Sequence, residues 1–200
     1  MVLILFAIGS LVSPVFGQAV KTESVVGAGP YLSLEGRFSI ALPLVPSGFK
    51  PLSVDSAVGK MHGDAYTWKM KEGSFTVGYV DATQPIDDAV TTAKIFASIR
   101  DGLASLASSR NGKVAAEKQI EIDKHQVLEV KLEIPQAVFW QRCYVASSRL
   151  YQIVLIIRPE QLAGEAVALK VLDTFKILTE AEVSEAKKAK AAAAEPSPKP

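Results

Sequence analysis

The chain has 200 residues, 48% of them hydrophobic, and its 22 basic and 21 acidic side chains leave a formal net charge of +1. That length suits one domain and a tail, and charge so evenly interspersed argues against a nucleic-acid binder, which must gather Lys and Arg against phosphates. A single cysteine excludes an internal disulfide, so stability has to come from an apolar core.

The first stretch, "MVLILFAIGSLVSPVFGQA", carries no charge, and none appears before Lys21. A membrane-spanning helix needs ~20 apolar residues. This run is shorter, contains Pro14, and gives way to small and polar side chains of the kind a signal peptidase accepts. Val15 and Gly17 sit correctly for cleavage before Gln18; Gly17 and Ala19 serve for cleavage two residues later. The positive residue usual at the start of a leader is missing. Residues 1–17 are expected to be a signal peptide and the protein to be exported, to the periplasm or outside the cell. The alternative is a membrane anchor left uncleaved. No cysteine follows the apolar run, which argues against a lipid-modified amino terminus, and no stable membrane insertion is expected after cleavage.

Residues 18–37 read as an extended, glycine-containing lead-in. "RFSIALP" then alternates with Phe38, Ile40 and Leu42 on one face, a strand ended by proline. "LVPSGFKPLSVDSAVGKMHGD" holds prolines and glycines that break any period, and is expected to be a long loop. "AYTWKMK" and "SFTVGYVDA" alternate around "EG" and form a hairpin, with Tyr66, Trp68 and Met70 against Phe75, Val77 and Tyr79. The period then changes. Ile86, Val90, Ala93, Phe96, Ile99, Leu103 and Leu106 recur at three- and four-residue steps, the stripe of a helix. Pro85 suits its first turn and Asp87 and Asp88 suit its positive end. Asn111-Gly112 turns the chain.

Four strands follow: "VAAEKQIEI", "HQVLEVKLEI", "AVFWQRCYVA" and "RLYQIVLII". Turns fall at Asp123-Lys124, at Pro135 and at Ser147-Ser148. Leu128, Val130, Leu132 and Ile134 are expected to face in, and Glu129, Lys131 and Glu133 out. "IVLII" lacks polar alternation and should be a central strand covered on both faces. A second helix opens at Arg158-Pro159, with Leu162, Ala166, Leu169 and Leu172 as its stripe and Phe175 and Ile177 at or beyond its end. Residues 179–200 hold no aromatic and are expected to be a disordered Ala/Lys/Pro-rich tail. Residues 38–178 then make a single α+β domain: an antiparallel sheet of about seven strands, in the order three strands, helix, four strands, helix, covered by helices in an α/β/α sandwich.

This order of elements, with "GRFSIALP" near the start, "RLYQI" late and a terminal helix ending in "TFKIL", resembles the PsbP-like fold over residues 38–178. That fold is named for an extrinsic subunit of photosystem II, is shared by a nuclear-import factor that binds the Ran GTPase, and occurs in small exported bacterial domains. The resemblance implies a non-catalytic protein that binds or stabilises a partner. None of the matching stretches is a functional-site motif, so no family residue role carries over.

Residues that could hold chemistry are few. Cys143 lies in apolar "FWQRCYVA" and is expected to be a buried, inert thiol; a catalytic cysteine would need His62 or His125. Glu121, Asp123 and His125 alternate but span a turn, and zinc needs three or four converging ligands. Asp87 and Asp88 are adjacent on a helix start and diverge. "GAG" near Gly27 is not followed by a helix pattern, and no G-x-S-x-G elbow is present. No catalytic residue, metal site or cofactor is assigned. Trp140, Arg142 and Tyr144 share one strand face, and an arginine between two aromatics can recognise an anionic or planar ligand. The reading is an exported, non-catalytic binding or accessory domain that recognises a protein partner in the cell envelope, through a sheet face or residues 44–63, and no nucleic acid. The alternative is a small exported hydrolase or ligand-binding protein with its site near Arg142 and Tyr144.

Overall fold

Hydrogen bonding between strands arranges the described residues in two sheets. The structure is a computed structural model that describes residues 30–42, 45–56, 59–86 and 88–194. The leader read from residues 1–17, the "GAG" stretch and Asp87 lie outside them. The fold is α+β, with a seven-stranded antiparallel sheet as its largest element. The described residues form two compact units, one of those within 46–168 and the other of those within 30–45 and 169–194.

The first unit holds the seven-stranded sheet. Its strands are β3 (Gly48–Ser56), β4 (Gly59–Lys69), β5 (Ser74–Asp81), β6 (Lys113–Ile122), β7 (His125–Ile134), β8 (Ala137–Ala146) and β9 (Arg149–Ile157). They lie in the order β3-β4-β5-β9-β8-β7-β6. The last four form a meander closed by two-residue turns. Asp123 and Lys124 both take positive φ, 49° and 67°, as expected of the turn whose twist matches a hairpin. β9 is the central strand, and every residue from Leu150 to Ile157 is buried, as the unbroken apolar run requires.

The helix α1 (Ala89–Ser109) covers one face. Its Ile95, Phe96, Ile99, Leu103 and Ala107 pack with Leu128, Val130, Leu132, Phe139, Cys143, Val145, Val154 and Ile156 in one cluster. The N-cap is Asp88, whose side chain accepts from the Thr91 amide at 2.7 Å. Bonds from the Thr91 side chain and amide hold its carboxyl below the usual range. Pro85 therefore precedes the helix rather than opening it, and Ile86 is buried outside it, its amide donating to the Ser147 carbonyl. Val90 and Ala93, expected on the buried stripe, are exposed, because the helix meets the sheet only from its second turn onward.

Two elements of this unit correct the sequence reading. The stretch expected as a loop is β3 and most of β4, paired in register from Gly48↔Thr67 to Ser56↔Gly59. Proline is tolerated on an edge strand, where one side of the backbone makes no ladder bonds, and β3, with Pro51, is an edge. The helix expected from Arg158-Pro159 is a 3₁₀ segment, Pro159–Gly164, running into α2 (Glu165–Leu172). The buried residues of α2 are Ala168 and Leu172, whereas Leu162 and Ala166 are exposed.

The second unit is built on a three-stranded sheet of β1 (Tyr31–Ser33), β2 (Phe38–Ile40) and β10 (Lys176–Ile177). Phe38 stacks on Phe175 with ring centroids 5.6 Å apart. Thr174 Oγ1 donates to the Val171 carbonyl, closing α2, and accepts from the Ala41 amide at 2.9 Å. The strand at Phe38 thus belongs to this small sheet, and "TFKIL" leaves the helix to become a strand. A further helix, α3 (Glu180–Ala194), stands where a disordered tail was expected. A capping box starts it: Glu182 accepts from the Thr179 amide at 2.8 Å, and the Glu182 amide donates to Thr179 Oγ1. Lys176, then Thr179, hold the Glu182 carboxyl down at about 2. Its alanines favour helix, and Val183 is buried.

Candidate functional site

Alternation along β8 places Trp140, Arg142 and Tyr144 on one face, opposite the face that α1 covers. The expected juxtaposition is therefore present, and register supplies each residue's neighbours. Arg142 lies opposite Glu129 on β7 and Ile153 on β9. Tyr144 lies between Val127 and Tyr151, and Trp140 between Lys131 and Leu155.

Arg142 is 8% exposed and Glu129 4%. Arg142 Nε donates to Glu129 Oε2 at 2.5 Å, and Lys118 Nζ reaches Glu129 Oε1 at 2.8 Å. Glu129, expected to face solvent, is thus a buried carboxylate between two cations. Burial demands this arrangement, because an isolated charge out of water is costly while a paired and hydrogen-bonded one is tolerated. Trp140 is half-buried. Its indole Nε1 donates to Glu165 Oε1 at 2.7 Å, and Lys131 Nζ lies 5.2 Å from the ring centroid and 3.3 Å from the same carboxylate oxygen. Those bonds fasten the start of α2 to the sheet. Gln161 Nε2 ties the 3₁₀ segment to the turn between β4 and β5 by donating to the Lys71 carbonyl.

The same face carries a second set that sequence reasoning missed. Tyr79 and Tyr151 pair across β5 and β9 with centroids 6.5 Å apart. Tyr79 donates to Asp64 Oδ2 at 2.8 Å. Arg149 stacks over Tyr79 at 4.4 Å and donates through Nε and Nη2 to both oxygens of Asp81, at 2.5 and 2.7 Å. Burial opposes the Arg149 charge, but the Asp81 bond, with Tyr151, outweighs it and raises the proton affinity above that of an ordinary arginine. The signal for this set was the two-residue turn at Ser147-Ser148, from which counting back places Tyr151 opposite Tyr144. The turn at Pro135-Gln136 likewise places Glu129 opposite Arg142.

Cys143 faces α1, away from this set. Burial pushes its thiol up to about 12, and Gln141 Nε2 donates to its sulfur at 3.2 Å. A thiol so held is neutral at ordinary pH and a poor nucleophile. Glu121 and His125 lie on either side of the β6–β7 turn and Asp123 within it, with Glu121 accepting from Gln126. Among the described residues no group of three or more His, Cys, Asp and Glu side chains is placed to hold a metal ion, and no helix is long and apolar enough to cross a membrane.

The aromatic surface lies at the other edge of the sheet. Phe49 on β3 is 46% exposed, and its ring centroid is 5.4 Å from that of Tyr66 on β4. Tyr66 in turn leads to buried Trp68, 6.4 Å away.

No protein-family model matches the chain, and no curated protein matches it. Among solved structures it is similar to the solution structure of cyanobacterial PsbP (CyanoP) from Synechocystis sp. PCC 6803, with 12% identity, 78% of this chain and 97% of that chain covered, and a TM-score of 0.48. That likeness assigns no role to any residue of this chain.

Proposed function

We propose that the protein is a non-catalytic binding or accessory domain that recognises a protein partner through the β3–β4 edge of its large sheet. The supporting observation is a contrast. The arginine with most chemical promise is buried against Glu129, whereas Phe49 stands exposed on an edge strand beside Tyr66. Exposed aromatics beside a rigid sheet are the side chains that most often anchor protein interfaces. We propose further that residues 1–17 direct export to the cell envelope, where the partner resides. The uncharged apolar run and the small residues at its end support this; a mature protein beginning at Gln18 or Val20 is the expected result of N-terminal sequencing.

The test is affinity capture from the envelope of the source cell, with wild type, Phe49→Ala and Cys143→Ala compared at equal fold. Wild type and Cys143→Ala should retain the same partner, and Phe49→Ala should weaken it by roughly tenfold or more, as for an anchoring aromatic. Equal capture by all three would refute the β3–β4 edge as the recognition surface.

A second proposal keeps Trp140, Arg142 and Tyr144 as a ligand site. The ligand would have to replace Glu129 on the Arg142 guanidinium, which selects a planar anion. Calorimetric titration with small aromatic carboxylates tests it, with Arg142→Lys expected to abolish any heat of binding.

A further inference from the structure

The Asn111-Gly112 pair ends α1, and the fold explains both residues. Asn111 takes φ 54°, a left-handed conformation that asparagine adopts more readily than most side chains. Gly112 is wedged beneath β7, where a Cβ would lie 2.5 Å from Ile134 Cγ2 and would collide with the Glu133 carbonyl. Packing therefore demands glycine at 112, and the helix end favours asparagine at 111. The same two choices create a chemical liability. An asparagine side-chain amide is an electrophile one residue away from a backbone nitrogen, and glycine leaves that nitrogen without steric protection.

We propose that Asn111 is a latent deamidation site, held unreactive by the C-cap of α1. In the reaction the Gly112 amide nitrogen loses its proton and bonds to Asn111 Cγ. The Cγ–Nδ2 bond breaks, ammonia leaves, and the resulting succinimide takes up water to give aspartate or isoaspartate at 111. The folded geometry opposes the first step. The Gly112 N–H donates to the Ala107 carbonyl at 2.8 Å, and the Asn111 N–H donates to the Ser108 carbonyl at 3.2 Å. The nucleophile is committed to the helix end and the backbone at Asn111 is fixed. Asn111 itself is exposed, so water and base reach it whenever the cap opens. Local opening of a helix terminus costs less than global unfolding, which makes this reaction a clock set by the fraying of α1.

The consequence follows from the same contacts. Isoaspartate routes the backbone through an extra methylene, and either product puts a carboxylate at the negative end of the helix dipole. The cap that seats Leu103 and Ala107 against the sheet is then lost.

The experiment ages the intact wild-type chain at mildly alkaline pH in buffer and in concentrated urea, and follows Asn111 by peptide mapping that separates aspartate from isoaspartate. Conversion in buffer should be roughly tenfold or more slower than in urea, because the reaction needs the cap open, and the purified isoaspartyl form should melt below the parent. Equal rates in the two solutions would overturn the gating. Absence of conversion in urea would overturn the site, and an unchanged melting temperature would overturn the role of the cap.

Discussion

The two faces of the seven-stranded sheet use the same strands to opposite ends. Toward α1 the strands present Leu128, Val130, Leu132, Phe139, Val154 and Ile156, with the neutral thiol of Cys143 among them. On the other face they present Glu129, Arg142, Tyr144, Tyr151 and Tyr79, as well buried, and Arg149, partly so. The first face buries only neutral groups, with the amides of Gln141 and Gln152 among its apolar side chains. The second must satisfy the charges it buries, and does so by register, with Arg142 opposite Glu129; Arg149 and Asp81, also opposite each other, pair where Asp81 reaches solvent. The difference teaches that a row of arginines and tyrosines on a strand can be a solution to burial before it is a solution to catalysis.

The comparison breaks most decisively at Arg142. Arg142→Met leaves Glu129 buried with only the half-exposed Lys118 beside it and should cost about 3 kcal/mol or more, measured by urea denaturation. A loss under about 0.5 kcal/mol, typical of an unimportant surface site, would show that the second face is not held by its ion pair. Next is Gly63→Ala on β4. Its Cβ would run into the Tyr79 carbonyl, so a loss of about 1–3 kcal/mol is expected, as for other forced overpacking. A smaller change would mean that β4 and β5 separate easily.

The first face is sharpened by Cys143→Ala. The folded thiol keeps its proton up to about 12, against an ordinary value of 9.0. The unfolded thiol ionises first, so this contribution to stability is complete below pH 9 and is lost as pH rises toward 12. Wild type minus Cys143→Ala, followed by urea denaturation across that range, should therefore shrink with pH; a constant difference would place the thiol in contact with water. Smallest is Phe49→Ala. At 46% exposure it should shift stability by under about 0.5 kcal/mol, so that any loss of partner binding reports recognition and not folding.

Much of this architecture was legible. The meander β6–β9 could be read almost to the residue, because its strands alternate and its two-residue turns fix the boundaries. β3 was hidden because Gly48 and Pro51 signal breaks, as does Gly59 at the start of β4, and only its position at the sheet edge makes Pro51 harmless. β10 is two residues long and exists through pairing with Phe38 and Ser39, which no local pattern encodes. At the candidate site, the spacing of Trp140, Arg142 and Tyr144 revealed their common face. The burial of Glu129 was not read, because alternation in β7 separates two faces without saying that the polar one is also covered. Its partner was available from the turn at Pro135-Gln136.

The most direct test of that ion-paired second face is a double-mutant cycle of Arg142→Met and Glu129→Leu, read by urea denaturation. Each single change should be strongly destabilising and the pair much less so than their sum, with a coupling of about 1.5 kcal/mol or more. Additive losses with no coupling would contradict the account.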